Sequence, residues 1–86
     1  VQEPNLWQVV YYNDNVTPMD FVIKTLKDIF RKSNEVAYEL TMKVHETGSA
    51  IVATLPYEIA EQKATEVTNE ARTLGYPLKV QLIEDK

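Results

Sequence analysis

The chain has 86 residues, 44% of them hydrophobic, and carries a net charge of −4 with no cysteine and a single histidine. That length sets one domain as the expectation. The composition excludes disulfides, cysteine-based metal centres and a histidine-rich metal site; the acidic balance argues against a general binder of phosphate backbones. No apolar run approaches the ~20 residues of a membrane helix. A cationic ligand or a basic partner surface suits the charge instead.

In chain order, Val1-Gln2-Glu3-Pro4-Asn5 is polar and holds a proline, so residues 1–5 are expected as a disordered lead-in and residues 6–86 as one domain. From Trp7 to Tyr12, five of six residues are β-branched or aromatic, which favours a strand. Asn13-Asp14-Asn15 follows, three residues that form turns because their side chains bond their own backbone. Thr17-Pro18-x-Asp20 then reads as a helix start, with Thr17 as the N-cap and Pro18 at the first helical position. Phe21/Val22, Thr25/Leu26 and Ile29/Phe30 recur at helical spacing, so a helix is predicted from Pro18 to Phe30.

Ser33 or Asn34 caps a second predicted helix over Asn34–Thr47, which Gly48 stops. Val36, Leu40 and Val44, with Ala37 and Thr41, form one face of it; Tyr38, Met42 and His45 form the next. Ala50 to Leu55 is a short apolar run between Gly48 and Pro56 and reads as a central strand. A third helix is predicted from Pro56 to Leu74, ended by Gly75, with Ile59, Ala60, Ala64, Val67, Ala71 and Leu74 as its buried stripe. Leu78, Val80 and Leu82 alternate with Lys79, Gln81 and Ile83 as a last strand. The order is βααβαβ: an α+β fold of two layers, with helices on one face of a three-stranded antiparallel sheet.

Taken alone, the Asn13-Asp14-Asn15 loop is open to two readings. It is a turn, or it is a polar cup for a primary ammonium, a group with three donors and no acceptor. His45 is a surface residue near a helix end, or a neutral imidazole offering an acceptor nitrogen to that ammonium. Met19 is a cover for the core, or an adaptable screen at a pocket mouth. Asp14 and His45 would also suit an acid–base pair. No nucleophile motif, glycine-rich phosphate loop or metal cluster accompanies them, so the expectation is a binding module without cofactor or metal and not an enzyme.

Four motifs in register carry a family resemblance over Trp7 to Glu84. Asn13-Asp14-x-x-Thr17-Pro18-Met19-x-Phe21-Val22, Val44-His45-x-x-Gly48, Glu58-Ile59-Ala60-Glu61-x-Lys63 and Tyr76-Pro77-Leu78 together resemble the ClpS adaptors of ATP-dependent Clp proteases. The resemblance implies a fold like the ribosomal stalk C-terminal domain. It also implies an adaptor that binds proteins with bulky hydrophobic N-terminal residues (Phe, Tyr, Trp or Leu) and hands them to a Clp AAA+ protease. By the same resemblance, Asn13, Asp14, Asn15 and His45 would hold the α-amino group, and Thr17, Met19, Val22, Thr41, Val44 and Leu78 would line the side-chain pocket. Glu58 and Lys63 would dock on the N-terminal domain of a ClpA- or ClpC-type unfoldase.

Two positions depart from the family pattern: Asn15 replaces the usual second aspartate, and Thr41 stands where methionine is common. The expected partners are N-degron proteins and the unfoldase, not nucleic acid or membrane. The expected state is a monomer, in the bacterial cytoplasm or, as the alternative, the plastid stroma. A stalk-like interaction domain without N-degron binding is the other functional expectation.

Overall fold

The computed structural model describes residues 5–85. Its elements are β1 (Leu6–Tyr12), α1 (Met19–Asp28), α2 (Asn34–Thr47), β2 (Ser49–Pro56), α3 (Tyr57–Thr73) and β3 (Lys79–Glu84). This is the α+β fold that the order of elements predicts: a three-stranded antiparallel sheet with three helices packed on it. The lead-in expected over residues 1–5 falls outside the described residues except for Asn5, whose amide donates to Glu84 at 2.6 Å.

The strand order is β2-β1-β3, with β1 paired antiparallel to both neighbours. Ala50–Leu55 is therefore in an edge strand and not the central one, a correction to the sequence reading. The apolar run suggested burial on both faces, but Ala50 and Val52 face the core while Ile51 is 48% exposed. The ladder to β1 is interrupted by a bulge: Val9 pairs with Ala53 and Val10 with Ile51, so Val52 is the extra residue. The centre belongs to β1, whose Val9 and Tyr11 are fully buried.

On the helix side, Val9, Tyr11 and Val52 meet Leu26, Ala37, Val44, Ala60, Val67 and Ala71 in one core cluster. Burying Tyr11 raises the pKa of its phenol and requires a partner for its hydroxyl, which is Thr25 Oγ1 at 2.9 Å. Since the Thr25 hydroxyl itself donates to the Val22 carbonyl, Tyr11 is the donor in that bond. The Ala60, Val67 and Ala71 side chains are fully buried, and their small size brings α3 close to the sheet.

Three expected core positions lie outside. Val36 is 41%, Ile59 44% and Leu74 54% exposed. The buried lines run through Ala37-Thr41-Val44 and Ala60-Ala64-Val67-Ala71. Val36 and Ile59 each precede such a line by one residue, a rotation of about 100° around the helix, and Leu74 lies beyond the end of α3.

Helix boundaries follow the caps. Ser33 accepts from the Val36 amide and starts α2. At the start of α1 the expected Thr17 cap is replaced: Pro18 is the N-cap residue, with no side-chain bond, and its carbonyl accepts from the Phe21 and Val22 amides. α1 ends at Asp28, two residues short of Phe30, and Arg31 turns the chain toward α2 in a left-handed conformation (φ 58°).

Candidate functional site

Two local devices bring the loop after β1 against the end of α2. The first is Gly48, which closes α2 at φ 94°, a conformation that strains any residue with a Cβ. Its amide bonds back to Val44, and its carbonyl accepts from the Asn13 amide at 2.9 Å. His45, on the last turn of α2, is thereby carried to the same place as the Asn13 loop.

The second device is Asp14. Its Oδ1 accepts from the Val16 and Thr17 amides at 2.8 and 2.7 Å, and its Oδ2 accepts the Thr17 hydroxyl at 2.8 Å. Thr17 therefore serves the loop and not the helix cap. Partial burial pushes the Asp14 pKa up, but the bonds from Thr17 and Val16, aided by the Arg72 charge, outweigh that and hold it below its usual value. The carboxylate stays ionised while it folds the loop around itself.

These elements line a small pocket, partly open to solvent, formed by Tyr12, Asn13, Asp14, Thr17, Met19, Val22, Thr41, Val44, His45 and Leu78. Val22, Thr41, Val44 and Leu78 are its buried wall. The Thr41 hydroxyl is spent on the Ala37 carbonyl at 2.8 Å, which leaves that wall largely apolar. Asn13, Asp14 and His45 supply an amide, a charge and an imidazole to the same small space. A ligand that fits such a lining has an apolar body and a cationic end.

Nine of the ten residues expected at the ligand site from sequence come together here; Asn15 does not. It is exposed and outside the pocket wall, because the turn drawn tight by Asp14 leaves it on the outer side of the loop. One lining residue escaped the sequence reading, Tyr12. It ends β1, half-buried, with its hydroxyl donating to Gln81 on β3 at 2.8 Å and the Lys79 ammonium 5.3 Å from its ring centre. Its signal in the sequence was its place directly before Asn13, on the strand face opposite to Tyr11.

The two expected docking residues differ from each other. Glu58 is exposed at the start of α3, beside the exposed Tyr57 and Ile59. Lys63 is half-buried, and its Nζ donates to the Ile29 carbonyl at 2.7 Å and lies 5.9 Å from the Phe30 ring centre. Among the described residues, no group of three potential metal ligands comes together, and no helix is long and apolar enough to cross a membrane.

The chain is similar to known proteins along most of its length. The family model described as ATP-dependent Clp protease adaptor protein ClpS matches residues 2–81. The ATP-dependent Clp protease adapter protein ClpS of Nautilia profundicola is 44% identical over 81 residues, spanning 94% of this chain and 84% of the relative. That of Treponema denticola is 44% identical over 77 residues, spanning 90% and 76%. Among solved structures, Agrobacterium tumefaciens ClpS2 bound to L-phenylalaninamide superposes with a TM-score of 0.92 at 36% identity, covering 96% of this chain and all of that one.

Proposed function

The chain belongs to the ClpS family of ATP-dependent Clp protease adaptors, and from that premise we propose that its pocket binds the first residue of proteins that begin with Phe, Tyr, Trp or Leu. The observation that carries the reading is the lining itself: Val22, Thr41, Val44 and Leu78 share one small pocket with Asn13, Asp14 and His45. The first group takes an apolar side chain. The second takes an α-ammonium, whose three donors need convergent oxygen or nitrogen acceptors with at least one charge among them.

The ligand of the Agrobacterium relative supports the same chemistry. L-phenylalaninamide has a free amine, a benzyl side chain and an amidated carboxyl, so it stands in for the first residue of a polypeptide. In this chain Asn13 and His45 accept from the ammonium and Asp14 supplies the counter-charge, while Met19 and Thr17 flank the entry. Asn15, outside the wall, does not touch the amine. The protein acts as a monomeric adaptor in the bacterial cytoplasm and catalyses nothing. Its Glu58 surface docks on the N-terminal domain of a ClpA- or ClpC-type unfoldase.

The decisive experiment is fluorescence anisotropy with peptides that differ only at residue one, each free and N-acetylated. Phe-, Tyr-, Trp- and Leu-initiated peptides bind and their acetylated forms do not. Acetylation strips the charge and leaves polar groups of the pocket unpaired, at about 1–3 kcal/mol each. Equal affinity for the acetylated peptides would overturn the reading and favour an interaction domain that ignores the N-terminus.

A further inference from the structure

Leu78 is 1% exposed and lines the pocket, yet it belongs to no regular element; β3 begins at the next residue. What holds it is visible on α3. Arg72, in the last turn of that helix, donates from a single guanidinium nitrogen to the Tyr76 carbonyl at 2.6 Å and to the Leu78 carbonyl at 3.3 Å. Between those carbonyls sits Pro77, which has no N–H with which to fix the segment by a bond of its own. The near end of the segment is held separately, by the Tyr76 amide on Ala71 at 2.8 Å and by the Tyr76 ring packed edge-on to Phe21. Beyond Tyr76, Arg72 ties the main chain to the helix, while the Leu78 side chain packs in the core cluster and Lys79 pairs with Tyr12 on β1. The same side chain reaches electrostatically to Asp14, on the polar part of the pocket.

We infer that Arg72 is a positioning residue of the pocket: by bridging the Tyr76 and Leu78 carbonyls across Pro77 it holds the Leu78 side chain as a wall for the incoming first residue. The inference rests on the pocket assignment proposed above. Arg72 touches no part of the ligand. Its guanidinium sets where the apolar wall stands, whereas the amine shell of Asn13, Asp14 and His45 is built from β1, its loop and α2. Losing Arg72 therefore loosens recognition of the side chain and spares recognition of the amine. A merely destabilised fold would lose both together.

The test uses the full chain carrying Arg72→Met, which keeps the stem and removes charge and donors, with Arg72→Lys as the rescue. Competition anisotropy gives two ratios for each protein: Phe- over Ala-initiated peptide, and free over N-acetylated Phe-initiated peptide. In Arg72→Met the first ratio falls about three- to tenfold, the loss of one or two modest hydrogen bonds, while the second is unchanged or rises. Arg72→Lys restores part of the first ratio, because an ammonium on a similar stem still reaches a carbonyl. In the peptide-free protein, the methyl NMR signals of Leu78 shift and broaden in Arg72→Met while those of Val67 stay in place. An unchanged first ratio with undisturbed Leu78 methyls, or a parallel fall of both ratios, overturns the inference. If the unmodified protein shows no preference for Phe over Ala, the pocket assignment fails instead, and the Leu78 methyls still decide whether Arg72 positions that wall.

Discussion

Lys63 on α3 donates from Nζ to the main-chain carbonyl of Ile29, just past the end of α1, at 2.7 Å. The bond satisfies one of the carbonyls that a helix end leaves free, and the ammonium also lies near the Phe30 ring. Lys63 thus joins two helices whatever else it contacts. Reversing its charge to Glu breaks that bond and lowers stability by about 1–2 kcal/mol. Exposed Glu58 makes no such bond; Glu58→Lys loses only the favourable placement of an acid in the first turn of α3, about 0.3–1 kcal/mol, so it lowers the melting temperature less than the Lys63 change while weakening unfoldase binding. Thermal melts beside pull-down with the unfoldase N-terminal domain separate the two; an equal loss of stability in both variants would contradict the distinction.

Asp14 links loop shape to pH. Its folded-state pKa lies below the ordinary value, so the ionised form is the one the fold prefers. Its contribution is fully present above the unfolded pKa of about 3.9 and is lost as pH falls through the lower folded value. Asp14→Ala removes three accepted bonds at a cost, after solvent screening, of about 1 kcal/mol at pH 7. Urea titrations of both proteins at pH 7 and near pH 2 check this: the difference present at neutral pH shrinks in acid. At pH 7 the variant also binds a Phe-initiated peptide about tenfold or more weakly, since the ammonium loses its counter-charge.

Met19 sits half-buried in the first turn of α1 and lines the pocket, outside the core cluster. A first residue branched at Cβ carries its bulk close to the backbone, where Met19 flanks the entry, and has few rotamers with which to avoid it. Met19→Ala accordingly admits Ile- and Val-initiated peptides and shifts the melting temperature by a few degrees at most. Unfolding of that variant would assign Met19 to the core and remove it from specificity.

Thr41 is part of the pocket wall. It is 2% exposed, with its hydroxyl turned back to Ala37, and nothing longer occupies its place. Thr41→Met pushes a flexible side chain into the small pocket that Thr41 lines. Overpacking of this kind costs ~1–3 kcal/mol for the ligand that needs the space. Trp-initiated peptide therefore loses about tenfold or more relative to Leu-initiated peptide, measured in the same anisotropy competition. A Trp-to-Leu ratio that stays constant would mean Thr41 does not limit the pocket.

The ligand-side roles of the site residues came from the resemblance to the ClpS adaptors; what the residues marked by themselves were the local devices. Gly48 marks the end of α2 by chemistry readable at one position, and His45 is placed by counting back from it. The Asn13-Asp14 pair announces a turn between a strand and a helix without reference to any other part of the chain. Element existence followed from periodicity for the same reason, since neighbours along a helix or strand share a face by geometry alone. Thr17 was misread as a cap because two local bonding schemes competed for one hydroxyl, and Asp14, three residues back, won it.

What sequence determined by itself was therefore the set of elements, the βααβαβ order, and the identity of the polar groups at the ends of β1 and α2. The tertiary structure alone decided that β1 and not β2 lies in the middle, that Tyr12 joins the pocket, that Asn15 stays out of it, and that Lys63 and Arg72 spend their charges on main-chain carbonyls. Each of these depends on which distant segments pair. β1 meets β3 across some 70 residues, as in the bond from Tyr12 to Gln81, and Lys63 meets Ile29 across 34. Local propensity carries no record of such pairings. They are selected by the one packing that buries Val9, Tyr11, Leu26 and Val67 together and leaves no buried side-chain polar atom among the described residues without a partner.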